Sequence, residues 1–191
     1  MRSRLYTSFG IFLLSASISA CQPQPNTASS WFEQGMTQVE KGRADAAIES
    51  FDQAIALGYS EASVYVNRGL LYDEKGNYAA AIADYTTAIE QAPDLDEAYY
   101  NRGNTHHQLG EFQKSIADYS KAIEINPDYA YAYANRSVSY EQMGEVERAI
   151  ADLNSALKMF QANDDTANAD KVTQEIKRVS ALKAAPQSTT R

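Results

Sequence analysis

The sequence predicts an all-α fold: a right-handed solenoid of four helical hairpins, closed at its C-terminal end by a capping helix. Three observations predict it. The pentapeptide YVNRG at 65–69 returns as YYNRG at 99–103 and as YANRS at 133–137, a step of 34 residues each time. Small residues keep the same step: Gly42, Gly76, Gly110 and Gly144 form one series, and Gly35, Gly69, Gly103 and Ser137 another. Within each period two apolar-periodic stretches, such as 63–75 and 78–91, flank a glycine-containing turn, which is the pattern of two helices joined tightly. One hairpin cannot bury its own apolar face, so consecutive hairpins stack and share a continuous core.

Taken in order, the first element is not part of the fold. Residues 1–20 place Arg2 and Arg4 ahead of an apolar, serine-containing stretch over 5–18, the layout of a secretory signal. That stretch is too short for a permanent span, which takes about 17–25 residues. Cys21 is the single cysteine, excluding an internal disulfide and any multi-cysteine metal site. The run Ile18-Ser19-Ala20-Cys21 resembles the bacterial lipobox, an aliphatic and two small residues before a cysteine. The resemblance implies that Cys21 becomes the mature N-terminus and carries a diacylglyceryl group. Two or more acyl chains anchor firmly where one holds marginally. Gln22, rather than Asp, after the cysteine resembles sorting to the outer rather than the inner membrane. The polar, Pro-rich stretch up to 28 is expected to be extended, setting the domain about 20 Å from lipid at about 3.1 Å per residue. The expected divisions are a signal at 1–20, a lipidated cysteine and linker at 21–28, and repeats over 29–162 (about 28–61, 62–95, 96–129 and 130–162). A capping helix at 163–184 and a tail at 185–191 follow.

Numbered from 28, 62, 96 and 130, the recurring residues occupy fixed positions in each repeat. Position 4 holds Trp31, Tyr65, Tyr99 and Tyr133, and position 24 holds Phe51, Tyr85, Tyr119 and Leu153. Position 20 holds Ala47, Ala81, Ser115 and Ala149, position 27 holds Ala54, Ala88, Ala122 and Ala156, and Pro93 and Pro127 stand at position 32. With the glycines at 8 and 15, this stretch resembles the tetratricopeptide repeat (TPR) family over about 135 residues. Small residues at 8, 20 and 27 let the two helices of a hairpin approach closely, and the aromatics fill the space between neighbours. The ends depart from the pattern. Repeat 1 has Gln38 where others carry Tyr or His, and Gly58-Tyr59 where Pro would stand; repeat 4 runs on to about Ala162. Beyond it, Asn163 to Asp170 offers N-cap side chains before an apolar stripe of Val172, Ile176, Val179 and Leu182.

Each helical residue turns by about 100°, so position 6 points away from the packing face set by positions 4, 8 and 11. Asn67, Asn101 and Asn135 occupy position 6 and are expected to line up along the inner face. An amide supplies one donor group and one acceptor, matching an extended peptide backbone. In the family this chain resembles, Asn at this position clamps the backbone of a bound segment. The rest of the expected groove comes from positions 2, 5, 9, 12 and 13. Repeat 1 supplies Phe32, Met36, Val39 and Glu40; repeat 2 supplies Val66, Leu70, Asp73 and Glu74. Repeat 3 supplies Glu97, Tyr100, Asn104, His107 and Gln108; repeat 4 supplies Tyr131, Val138, Glu141 and Gln142. This is an apolar and aromatic floor with an acidic rim and almost no Lys or Arg. The cations with which cytosolic chaperone-binding members clamp a C-terminal carboxylate are missing, so a basic or apolar protein segment suits it better.

Position 7 has a different expectation. Arg68, Arg102 and Arg136 recur with Asp84, Asp118 and Asp152 at position 23, and repeat 1 loses both together, having Gln34 and Ser50. The joint loss predicts an Arg–Asp pair inside each of the last three hairpins. Without Arg2 and Arg4 the remainder carries 15 basic against 25 acidic residues, a net charge of −10, which repels nucleic acid phosphates. His106-His107 are neighbours and point about 100° apart, whereas metal-binding His pairs on helices favour a spacing of four, so no metal is expected. No cofactor is expected, and no nucleophile–base pair or Gly-rich phosphate loop appears outside the repeats. The expected function is a non-catalytic scaffold, anchored through Cys21 and facing the periplasm of a bacterial envelope, that binds a peptide or helix of an envelope protein. The alternative is a structural module that self-associates; sedimentation separates the two. An enzyme or enzyme subunit stands behind both.

Overall fold

The computed structural model describes residues 26–184; the signal stretch, Cys21, most of the linker and the tail from 185 lie outside them. The described residues form nine α-helices and no strand: α1 (Ala28–Glu40), α2 (Ala44–Ala56), α3 (Ala62–Glu74), α4 (Tyr78–Gln91), α5 (Asp96–Gln108), α6 (Phe112–Ile125), α7 (Ala130–Gln142), α8 (Val146–Ala162) and α9 (Thr166–Ala184). Odd and even helices pair as hairpins, each hairpin packs on the next, and α9 packs on α8, giving an all-α solenoid.

The turn inside each hairpin is the same device four times. α3 ends at Glu74, Gly76 donates its N–H to the Asp73 carbonyl at 2.9 Å, and Asn77 donates to the Tyr72 carbonyl at 2.8 Å. These two hydrogen bonds close the helix end only when the residue at Gly76 is left-handed. Gly42, Gly76, Gly110 and Gly144 have φ between +66° and +75°, a region that costs a side chain about 1–2 kcal/mol. At the chain's entry, Thr27 and Ser30 form a reciprocal capping box that starts α1.

Position 8 is small for a packing reason. A Cβ on Gly35 would lie 2.4 Å from the Phe51 ring, and on Gly69 and Gly103 2.8 and 2.9 Å from the Tyr85 and Tyr119 rings. Repeat 4 carries Ser137 at this place and is also the repeat whose position 24 is not aromatic but Leu153. Ser137 is buried, and its hydroxyl bonds the Ala134 carbonyl at 2.6 Å. The alanines at positions 20 and 27 are fully buried in all repeats, with Ser115 in place of one of them.

The two departures in repeat 1 have different outcomes. Where Pro would stand, Gly58 turns the chain at φ +89° and Tyr59 stacks its ring on Phe32 at 4.7 Å, so an aromatic lock replaces the proline. Gln38 gains nothing comparable: its Oε1 is buried without a partner. The α2–α3 seam is the least closely packed between hairpins, and the contact of α9 with α8 is closer than any of them. Asp165 caps α9 by accepting the Asn168 N–H at 3.1 Å. The stripe that packs on Leu153 and Phe160 is Ala169, Val172, Ile176 and Val179, whereas Leu182 in the last turn is half exposed.

Candidate functional site

Three arginines hold the scaffold behind the inner face. Arg68 donates from Nε and Nη2 to Asp84 at 2.8 and 2.6 Å, Arg102 to Asp118 at 2.9 and 2.7 Å, and Arg136 to Asp152 at 2.7 and 2.8 Å. These are two-pronged pairs between the helices of one hairpin, the geometry in which guanidinium and carboxylate match best. The remaining nitrogen reaches the hairpin before: Nη1 of Arg68, Arg102 and Arg136 donates to Asp52, Thr86 and Ser120 respectively. Each guanidinium also lies over the position-4 ring of its own helix, 5.5–5.9 Å from the centroids of Tyr65, Tyr99 and Tyr133. One side chain thus ties two repeats together, and the carboxylates hold the pKa of Arg68 and Arg102 above the ordinary value.

The three asparagines of position 6 differ in their surroundings: Asn101 and Asn135 line one pocket and Asn67 another. Asn67 is half-buried and donates Nδ2 to the Ser63 carbonyl one turn earlier at 2.8 Å. Asn135 donates Nδ2 to the Tyr100 hydroxyl at 3.0 Å and to Asn104 Oδ1 at 2.9 Å, and Tyr119 donates to the same Oδ1 at 2.7 Å. Asn101, between them, is 8% exposed, and its carboxamide has no hydrogen-bond partner among the described residues. It stands in the wall of a pocket of about 310 Å³ at the middle of the inner face.

That pocket is built by positions 6, 9, 12 and 13 of successive odd helices: Leu70 and Asp73 from α3, Asn101, Asn104, His107 and Gln108 from α5, and Asn135 and Val138 from α7, with Tyr119 behind. Leu70 and Val138 are apolar side chains left exposed at its edge, at 39% and 41%. Asp73 accepts one hydrogen bond, from the buried Thr105 hydroxyl at 3.1 Å, and burial raises its pKa. His107 bonds Ser139 Oγ through Nδ1 at 2.9 Å and packs on Phe112; burial lowers its pKa, so the ring is neutral at pH 7. His106, its neighbour, is buried with Nδ1 2.6 Å from Glu111 Oε2, facing a different way. No group of three or more His, Cys, Asp or Glu among the described residues could hold a metal ion.

Position 5 lies elsewhere than the groove expected of it. Phe32 stacks on Tyr59, Val66 is buried at 4% with Ala88 and Ala98, and Tyr100 lies against Tyr129 at 4.8 Å. A side chain about 100° from the core direction falls on the flank towards the next hairpin, so these three seal seams instead of facing the opening. Val66 does reach a second, smaller pocket of about 290 Å³ with Asn67, Leu95 and Glu97. Met36 is half-buried in the first hairpin's core cluster. Tyr131 is 48% exposed, with its ring edge on Phe160 and its hydroxyl accepting from Asn168 of α9.

Helix α9 corrects the expected charge of the rim. Arg178 reaches back to Glu141 with two hydrogen bonds of 2.7 and 2.6 Å, and Lys171 and Arg178 line a cleft of about 160 Å³ beside Asn135 and Val138. Two cations therefore stand at the fourth-repeat end of the groove. The repeat register gave no signal for them because α9 lies outside it. Thr105, Tyr119 and the position-25 partners of the arginines were also not foreseen; the last recur at a fixed step, but as three different residue types.

Profiles described as tetratricopeptide repeat match residues 28–57, 96–129 and 119–151, and one described as TPR repeat matches 71–110. No curated protein sequence matches the chain. Among solved structures, the fold is similar to a crystal structure of MamA, at 27% identity and a TM-score of 0.71, covering 74% of this chain and 83% of that one. It is similar to the first TPR of Spaghetti (RPAP3) bound to the HSP90 peptide SRMEEVD, at 25% identity and a TM-score of 0.60, covering 65% and 94%. It is also similar to the TPR2B domain of yeast Sti1 in a complex with an Hsp70 peptide, at 26% identity and a TM-score of 0.61, covering 63% and 97%.

Proposed function

The chain belongs to the tetratricopeptide repeat family, and from that premise we propose that it is a non-catalytic adaptor which holds an extended segment of another envelope protein against α3, α5 and α7. In this reading lipid on Cys21 tethers it to a bacterial membrane, the outer rather than the inner, and the groove faces the periplasm. One observation carries the groove: the carboxamide of Asn101 lines the central pocket and has no hydrogen-bond partner among the described residues. Each hydrogen bond such a group gains contributes about 0.5–1.5 kcal/mol. An extended backbone alternates N–H and C=O and supplies both partners that Asn101 lacks, whatever its side chains. The peptide-bound RPAP3 and Sti1 domains support a peptide as the class of ligand. The HSP90 peptide bound to the first, SRMEEVD, is acidic towards its end, whereas this pocket contains Asp73 and no Lys or Arg. An apolar or basic segment fits that electrostatic setting.

Crosslinking in cells, followed by identification of the captured proteins, tests the reading. Asn101→Ala is the sharp variant, because Asn67 bonds its own helix and Asn135 also holds Tyr100 and Asn104. Capture is expected to fall roughly tenfold or more with little change in thermal stability, since about 1.4 kcal/mol corresponds to tenfold. Capture at the wild-type level would overturn the groove. Cys21→Ser is expected to release the protein from membranes, and a variant that still pellets with them would refute the lipid anchor.

A further inference from the structure

The central pocket is unbalanced in charge. Asp73 stands in its wall with no ion-pair partner among the described residues, its one donor being the Thr105 hydroxyl, which also contacts the Asn101 carbonyl at 3.1 Å. No Lys or Arg lines the pocket, and the neutral His107 is already bonded to Ser139. The nearby cations are turned elsewhere: Lys75 pairs with Asp45, 2.6 Å away on the first hairpin, Arg178 pairs with Glu141 and Glu175, and Lys171, in the adjoining cleft, donates to Asn168 Oδ1 at 3.3 Å. Further acceptors line the same pocket: Asn104 Oδ1 takes two hydrogen bonds, and the side-chain Oδ1 atoms of Asn101 and Asn135 take none among the described residues. Leu70 and Val138 form apolar lips on either side. A partly desolvated carboxylate with amide oxygens in the same wall, between two exposed apolar side chains, is complementary to a cationic head on an aliphatic stem.

We propose that this pocket receives one lysine or arginine side chain of the groove-bound segment, with Asp73 as its counter-charge, Leu70 and Val138 against its methylene stem, and the Asn101 carboxamide on the adjoining backbone. The inference rests on the groove reading above and adds to it a fixed place in the ligand at which positive charge is required. Burial holds the Asp73 pKa above the ordinary carboxylate value, as a carboxylate without a cation should be. A charge-assisted hydrogen bond contributes about 1.5–3 kcal/mol, which is roughly ten- to hundredfold in affinity.

The test is selection from a randomised nonapeptide library displayed on phage, on the full chain in detergent micelles. Wild-type protein is expected to enrich sequences with lysine or arginine at one fixed place, apolar residues beside it. Asp73→Asn, which keeps an acceptor for Thr105, is expected to lose that place. A selected peptide is then synthesised with arginine, with its neutral isostere citrulline and with glutamate there. On wild type the citrulline form is expected to bind at least tenfold more weakly and the glutamate form more weakly still; on Asp73→Asn the arginine and citrulline forms converge. Equal affinities of the arginine and citrulline forms on wild type would overturn the basic site, and this arm needs no variant to fold. The groove would survive that result if Asn101→Ala weakened both forms alike. Selected peptides indifferent to Asn101→Ala would bring down the groove and the basic site together.

Discussion

At the scale of single residues, the same tyrosine is placed twice and satisfied once. Tyr85 and Tyr119 both fill position 24 and are both buried under a glycine of the facing helix. Tyr119 donates its hydroxyl to Asn104 at position 9, but that position in repeat 2 is Leu70, and the Tyr85 hydroxyl is buried without a partner. Burial, helped by the nearby carboxylates of Asp73, Asp84 and Glu97, raises the Tyr85 pKa, so the group stays a protonated donor with nothing to donate to among the described residues. Removing an unpaired buried hydroxyl recovers its desolvation cost, whereas removing a paired one loses a bond and orphans the acceptor. Tyr85→Phe is therefore expected to leave stability unchanged or raise it by up to about 1 kcal/mol, and Tyr119→Phe to lower it by about 0.5–1.5 kcal/mol. Denaturant melts of the two variants check this, and an equal loss in both would refute the assignment.

At the scale of elements, α9 does more than cover an apolar face. It repeats no position of the preceding hairpins, yet Asn168 and Arg178 fasten it to Tyr131 and Glu141 of α7. The pair with Arg178 lowers the Glu141 pKa from its ordinary 4.5. The sign follows directly: a carboxylate whose folded pKa is depressed stabilises the fold above its unfolded value, and that contribution is lost as pH falls through the folded one. Wild type and Glu141→Gln are thus expected to differ in melting temperature at pH 7 and to converge as pH drops below 4.5. A difference that held unchanged down to pH 3 would show that Arg178 acts on α9 without Glu141. The same element marks where reading the chain by period stops. Positions that recur every 34 residues carry the hairpins, the turn glycines and the arginine–aspartate geometry on their face. Lys171 and Arg178, which alter the rim of the groove, sit on a helix with no register to read.

At the scale of the whole molecule, the stacking that the period dictates was legible, and Asn101 and Asn135 line one pocket while Asn67 lines another. What each asparagine does there was not legible, because it depends on neighbours that vary between repeats: Ser63 for Asn67, Tyr100 and Asn104 for Asn135, and none for Asn101. A solenoid's stability is close to a sum of repeat terms and nearest-neighbour seams, so its weakest stretch is found by comparing them. Repeat 1 has neither arginine nor aspartate at positions 7 and 23, and Ser50 only bonds the Ala46 carbonyl of its own helix. It also buries Gln38 Oε1 unpaired and meets repeat 2 across the least closely packed seam between hairpins, held by the Arg68–Asp52 and Lys75–Asp45 pairs and by Tyr59. The other end has α9 packed closely on α8. Opening should therefore begin at α1 and α2 and leave the central pocket, which draws on α3, α5 and α7, intact. Native-state hydrogen exchange is expected to give the amides of α1 and α2 the lowest protection and those of α5 to α8 the highest. Arg68→Ala, which cuts the tie to Asp52 as well as to Asp84, should loosen α2 further while sparing α7 and α8. Protection of α1 and α2 equal to that of α5 to α8 would mean that the four hairpins unfold as one unit and that the missing pair in repeat 1 has no energetic consequence.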